Sequence, residues 1–368
     1  MTTFESESQI VEWLTRNLRS EDPDIRETAL DRLGSLSGDY TASIAERLAD
    51  PDARVRAAAA VNLGAVRLPA AWPHLVQAAR SEASDEVTQL IVLSLGGYQD
   101  SSILDLLLDL TTQHERDYRI RMQVVIQLWK YVQDVAFSKL SATVLSDEHA
   151  LVRLHAADSM ELLDELEPRD LARQRLWTRL AEDDDPAVAA IAQTALNRGS
   201  VAKKTDDITI PILRRLQQEE ARERSLALHR LSMLGADSAM THAPPLLDDS
   251  QPAVRIAACA CLGAIRHDRA IPLLLTALRG APEVGIRKAA LLGLENYRTT
   301  QIGNVALELL ETGGLPGDML SILCRQLWKY PSPRTVQLLR GVLESSVSLP
   351  YRGYVEDTLS FLRHMVGE

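Results

Sequence analysis

Apolar positions along this chain fall in short runs at i, i+4 and i+8, broken by polar stretches that contain proline. Asp50-Pro51-Asp52 opens one run with an acid suited to capping a helix and a proline suited to its first turn. Val55, Ala59 and Leu63 then share one face, which predicts a helix, and Gly64 ends it or lets a neighbour approach. Pro69 and Pro73 bracket the start of a second helix, Trp72 to Ala79. The same phrase opens earlier at Asp22-Pro23-Asp24-Ile25-Arg26, followed by Ala29 and Leu33-Gly34. It returns near Val87, Ile120-Arg121, Val152-Arg153, Val188, Val254-Arg255 and Ile286-Arg287, with degenerate forms near Arg224, Met319 and Gly353.

A period of about 30–33 residues repeated in this way marks a solenoid of helical hairpins, about eleven of them. One such hairpin cannot bury its apolar face alone, so neighbours must stack into a continuous core. A longer duplication overlies this period. Residues 50–131 return, without a gap, as residues 249–330, and Gln127-Leu-Trp-Lys-Tyr returns letter for letter at Gln326. The expected fold is all-α, an α-α superhelix built from two duplicated five-unit blocks. Its parts would be an N-terminal capping helix in 1–21, a first repeat block in 22–196, a linker or hinge loop in 197–207, and a second block with a C-terminal cap in 208–368. The end helices Ser8–Leu18 and Val355–Met365 would be the caps. Asp183-Asp184-Asp185-Pro186 reads as a helix cap with surplus charge.

The phrase Asp-x-x-Val-Arg-x-x-Ala-x-x-x-Leu-Gly resembles HEAT repeats, and within them the subgroup found in phycobilin (PBS) lyases. The resemblance covers almost the whole chain. It implies that the helix beginning Val-Arg lines a concave side. It also implies a ladder of aspartate and arginine between successive units, with Asp52 and Arg56, Asp117 and Arg121, and Arg153, Arg255 and Arg287 as equivalents. Charged hydrogen bonds of this kind set register between units. A phosphate-binding stripe is the rival use of the same arginines.

Composition narrows the partners. Aromatic residues are only 4% and hydrophobic residues 46%, which suits thin, closely packed helices. The net charge of −11 favours solubility and disfavours a nucleic-acid backbone as partner. The polar, acidic start Met1-Thr-Thr-Phe-Glu-Ser-Glu-Ser is unlike a secretory signal, and no apolar run reaches bilayer length, so a cytoplasmic protein is expected. Cys259, Cys261 and Cys324 have Ala60, Asn62 and Val125 as counterparts in the other block, and read as small buried hydrophobes.

No catalytic constellation emerges. A symmetric metal site would show matching histidines in the two blocks; of the eight histidines, His242 lies in a stretch that does not align, and none of the other seven meets a histidine. His114-Glu115 alone matches the His-Glu dipeptide of deoxyhypusine hydroxylase, a two-halved HEAT-type di-iron enzyme. There is no Gly-rich phosphate loop and no Gly-x-Ser-x-Gly elbow. The expectation is no metal, no cofactor and a non-enzymatic role, with a small-molecule ligand left open.

A partner surface is sought on the Val-Arg helices, counting from the Val or Ile as position 0. Positions 0, 4 and 8 face the core, positions 3 and 7 look away, and position 6 lies near the margin. In most units these outer positions are apolar, as with Leu90 and Leu93, Leu292, and the sites around Asn62. They either contact neighbouring helices or form an apolar groove for a helix or loop of another protein. Trp129 and Trp328 replace the glycine found at Gly34, Gly64 and Gly263, and are read as curvature wedges or as binding anchors. Tyr98, Tyr131, Tyr297 and Tyr330 are assigned to packing. The favoured function is a scaffold or adaptor holding a protein partner on its concave face, possible forms including an inhibitor or immunity-type protein. The alternatives are a bilin lyase-like tetrapyrrole handler and a HEAT-like DNA glycosylase that would use Trp129 and Arg121.

Overall fold

The computed structural model describes the chain except residues 1–6, 35, 37–38, 67, 132–144, 200, 202–206, 296, 298, 345–348 and 367–368. Among the described residues it holds 21 α-helices and no strand. In chain order these are α1 (Glu7–Asn17), α2 (Pro23–Gly34), α3 (Thr41–Ala45), α4 (Ala53–Val66), α5 (Trp72–Ser81), α6 (Asp85–Leu95) and α7 (Ser101–Thr111). Then come α8 (Tyr118–Leu128), α9 (Ala150–Leu166), α10 (Leu171–Leu180), α11 (Pro186–Arg198), α12 (Thr209–Arg215), α13 (Ala221–Leu234) and α14 (Ala236–His242). The series ends with α15 (Pro252–Ala264), α16 (Ala270–Gly280), α17 (Val284–Leu294), α18 (Thr300–Thr312), α19 (Gly317–Leu327), α20 (Pro333–Glu344) and α21 (Leu349–Val366). Among these residues no helix is long and apolar enough to cross a membrane.

Local chemistry accounts for the helix starts. Asp100, Asp117, Asp170 and Asp185 each accept a first-turn N–H, from Ser102, Arg119, Arg173 and Ala187 respectively. The Asp183–Pro186 stretch is therefore a cap, as its sequence reads. α11 still runs through Asn197 and Arg198, and most of the proposed hinge falls on residues outside the description.

Two compact units divide the chain. One comprises Asn17–Gly34 and Asp39–Arg214; the other comprises Arg215–Glu368 with Met1–Arg16 and Ser35–Gly38. In the first unit the Val-Arg helices α2, α4, α6, α8, α9 and α11 pack side by side in that order. In the second, α13, α15, α17, α19 and α21 do the same. Val55, Ala59 and Leu63, and likewise Val254, Ala258 and Leu262, are fully buried, so positions 0, 4 and 8 form the core of these helices, whereas Ile25 at position 0 of α2 is exposed. The helix-end glycines permit the contact between neighbours. A Cβ on Gly64 would lie 2.5 Å from that of Ser94, and one on Gly263 only 2.3 Å from the Cα of Gly293.

The second unit also holds α1. The Trp13 ring meets Phe361 of α21 edge-on at 5.4 Å, and Phe361 meets Trp328 at 5.9 Å. The first and last helices thus share one compact unit.

Candidate functional site

The arginine at position 1 of each Val-Arg helix reaches to the next repeat. Arg26 holds Asp50 through two bonds of 2.8 and 2.9 Å, and Arg56 holds Glu82 at 2.8 and 2.9 Å. Arg121 holds Asp147 at 2.7 and 3.2 Å, Arg153 holds Asp183 at 2.7 and 2.9 Å, and Arg224 holds Asp249 at 2.8 Å twice. Arg255 pairs with Glu283 through a single bond to Oε1, leaving Oε2 buried without a hydrogen-bond partner. Each carboxylate of the first five pairs also accepts the backbone N–H two residues on, as at Asp147 from His149 at 2.9 Å. The rung therefore welds an arginine, an acid and the start of the next helix into one register. With the guanidinium groups of these six rungs held by carboxylates, the arginines form no stripe for phosphate.

The acids expected from sequence need correction. Asp52 and Asp117 do not hold Arg56 and Arg121. Their carboxylates fold back on their own helix starts, accepting the N–H groups and side chains of Arg54 and Arg119. First-turn N–H groups are the nearest donors to a carboxylate in that place, whereas the position-1 arginine projects sideways to the neighbour. Two rungs differ. Thr88 stands where α6 should carry its arginine, and Arg116 comes back from the next unit to Asp85 at 2.7 Å and to Thr88 at 2.9 Å. Arg287 makes no rung: its buried Nε has no hydrogen-bond partner, and Gly314, at φ +69°, stands where the acid would be.

Burial and pairing set the titration of these acids. Burial alone would raise the Asp147 carboxyl, but hydrogen bonds from Arg121 and the His149 N–H outweigh it, holding the group below the usual carboxylate range. The same balance holds at Asp50, Glu82 and Asp183. At Asp249 the hydrogen bond from Arg224 is the leading cause of the same shift.

The repeated pentamer is a second inter-repeat fastening. Gln127 Nε2 donates to Val92 O, and Lys130 Nζ donates to Gly96 O at 3.0 Å and Tyr98 O at 2.9 Å. In the other copy Gln326 donates to Leu291 O and Lys329 to Glu295 O, both at 2.6 Å. These side chains satisfy carbonyls at the end of the preceding Val-Arg helix, where no helical N–H is left to do so. Tyr98 and Tyr297 donate their hydroxyls to Leu63 O and Leu262 O at 2.7 and 2.9 Å, extending the fastening one unit back. Trp129 is 2% exposed and Trp328 5%, so the expected anchors are interior rings and present nothing to a partner. Trp129 and the buried Arg121 are equally closed to a DNA base. Sequence reasoning missed the clasp; the signal was a Gln and a Lys repeated letter for letter beside the tryptophan.

The outer face also needs re-indexing. Thr28, at position 3 of α2, is exposed as expected, but in the inner helices positions 3 and 7 look toward neighbours: Ala58 and Ala289 are buried, and Asn62 is spent on Asp31 at 3.2 Å and on Ala58 O at 2.8 Å. Leu90 is half-buried. Position 6 is the exposed one. Val61 is 45% exposed, Leu93 53% and Leu292 38%, with Ile256 at position 2 another 37%. Of the expected contact residues only Leu93 and Leu292 are openly displayed, with Leu90 at the margin. The cysteines are interior: burial pushes the Cys259 thiol up to about 11 and Cys324 to about 12, so both stay neutral and apolar in character. No group of three metal-ligating side chains occurs among the described residues.

Residues 10–96, 72–161 and 242–313 match the family described as HEAT repeats, more than half of the chain. This is a HEAT-repeat protein. No curated protein sequence matches it. Among solved structures, the HEAT-repeat chain is similar to an engineered protein at 15% identity, covering 96% of this chain and 99% of that one, with a TM-score of 0.33. It is similar to importin beta at 12% identity, covering 96% of this chain and 62% of that one, with a TM-score of 0.38. A YibA structure from E. coli is 17% identical, covering 76% of this chain and 99% of that one, with a TM-score of 0.35.

Proposed function

We propose that this HEAT-repeat protein is a non-enzymatic scaffold or adaptor that binds a protein partner across the outer faces of its Val-Arg helices, the side expected to be concave. The observation that carries the reading is the displayed aliphatic line at position 6, Val61 and Leu93 in one unit and Leu292 in the other. A solvated helix face calls for polar residues there. Aliphatic side chains repeated on adjacent helices are the surface a partner helix or loop desolvates. The net charge of −11 supports a partner of positive charge, as an inhibitor of a basic protein would meet.

The test is paired capture from a lysate of the source cell with the wild-type chain and the L93D and L292D variants. Both sites are exposed, so far-UV circular dichroism should be unchanged. A defined set of proteins retained by the wild type and lost from at least one variant supports the reading. Identical retention by all three, or no retained protein, overturns it.

A further inference from the structure

The position-6 residues of five consecutive packed helices in the first unit form one line. They are Asp31 on α2, Val61 on α4, Leu93 on α6, Ile126 on α8 and Asp158 on α9. Three aliphatic side chains are bounded at each end by an acid. Asp31 is exposed, while Ile126 and Asp158 are half-buried. One turn back, Glu27 places a second carboxylate at the α2 end, with Arg54 3.9 Å from it. The duplicated face in the second unit differs in character at two of the matching places and is smaller at a third, where Ala260 stands for Val61. His229 stands for Asp31 and Arg325 for Ile126, leaving Ala260 and Leu292 as a shorter apolar stretch.

We infer that the face of the first unit receives one kind of occupant: an amphipathic helix from another protein, aliphatic along its middle and cationic at both ends. This rests on the scaffold reading and deepens it. The argument is complementarity of sign and spacing. Packed helices lie about 8–10 Å apart. An α-helix advances about 10 Å over seven residues, so side chains at i, i+7 and i+14 would meet α4, α6 and α8 in turn. The four steps from Asp31 to Asp158 span roughly 35 Å, which is about 24 residues of helix. Lysine or arginine near both ends would then lie over the acids. Opposite charges at the ends fix orientation and exclude an acidic competitor more than they add affinity.

The experiment uses the full chain and two synthetic peptides of about 24 residues, each with leucine at i, i+7 and i+14 on an alanine-rich helix. One carries lysines at both ends and the other glutamates. Binding is read by fluorescence anisotropy at 50 and 300 mM salt. The lysine-ended peptide should bind at least tenfold more tightly, and its affinity should fall with salt. D31K/D158K should erase the tenfold difference, and L93D should weaken binding of the lysine-ended peptide by tenfold or more. L292D, in the other unit, should change nothing. Equal binding of the two peptides, binding of neither, or indifference to D31K/D158K overturns the inference. The scaffold reading fails separately, when L93D and L292D leave the retained proteins unchanged.

Discussion

Replacing Arg121 with alanine tests the inter-repeat rungs most severely. Arg121 and Asp147 have side chains only 2% and 3% exposed, and the guanidinium also donates to Arg116 O at 3.1 Å. R121A leaves Asp147 buried, with the His149 N–H as its remaining rung bond. Stranding a buried charge in this way costs about 3–5 kcal/mol. Burial loses its main opponent and is countered by the His149 N–H, so the Asp147 carboxyl should move upward and take up a proton more readily. The exposed pair Arg325–Glu295, with side chains 49% and 27% exposed, provides the contrast. R325A should cost under about 1 kcal/mol. A third variant, R121M/D147L, removes both charges and should recover most of the loss, since replacing a buried pair with apolar groups is often neutral. The assay is urea unfolding at pH 7 followed by far-UV circular dichroism. Because repeats couple mainly to neighbours, R121A should also spread the transition, with the first unit melting ahead of the second. If R121A costs no more than R325A, or if R121M/D147L stays as unstable as R121A, the rungs do not hold the repeats in register as argued.

Glycine substitutions separate close approach from ordinary helix propensity. G263A places a Cβ against backbone at Gly293 and should destabilise by about 1–3 kcal/mol, whereas G341A meets no atom within 4 Å in α20 and should stabilise by about 0.5–1 kcal/mol in the same urea assay. Acid should unfold the chain through its rungs. Asp50, Glu82, Asp147, Asp183 and Asp249 titrate lower folded than free, so their contribution is complete above the unfolded carboxylate range near 4 and is lost as pH falls through the folded values. Melting temperature should hold from pH 7 to about 5 and then fall steeply toward pH 2.5; a flat profile down to pH 3 refutes this.

The repeat architecture was legible because periodicity and capping residues act locally. Val55, Ala59 and Leu63 lie within one helix, and their spacing alone assigns them to the core. The rungs were half legible. Position-1 arginines are regular along the chain, but their partners sit a whole repeat away, and Asp52 and Asp117 were nearer candidates in sequence than Glu82 and Asp147. The exposed face was partly legible: Leu93 and Leu292 at position 6 lie on it, while Asn62 at position 7 is buried and Leu90 at position 3 is half-buried. Positions 3 and 7 depend on how closely the neighbouring helix approaches, and that is set by pairs such as Gly64 and Ser94, which no single repeat reveals. Trp129 and Trp328 stayed open between wedge and anchor because size is visible in sequence and burial is not.

The sharing of one compact unit by α1 and α21 bears on synthesis. Trp13 leaves the ribosome well before the ring it packs against, Phe361, which follows it by almost 350 residues. At about 5–20 residues per second, that interval is roughly 20–70 s. Throughout it, Ile10 and Leu14, both buried in the finished unit, remain wetted on an orphan helix. The nascent chain must carry that greasy segment unsequestered until its partner is made, which makes α1 a natural client of a chaperone.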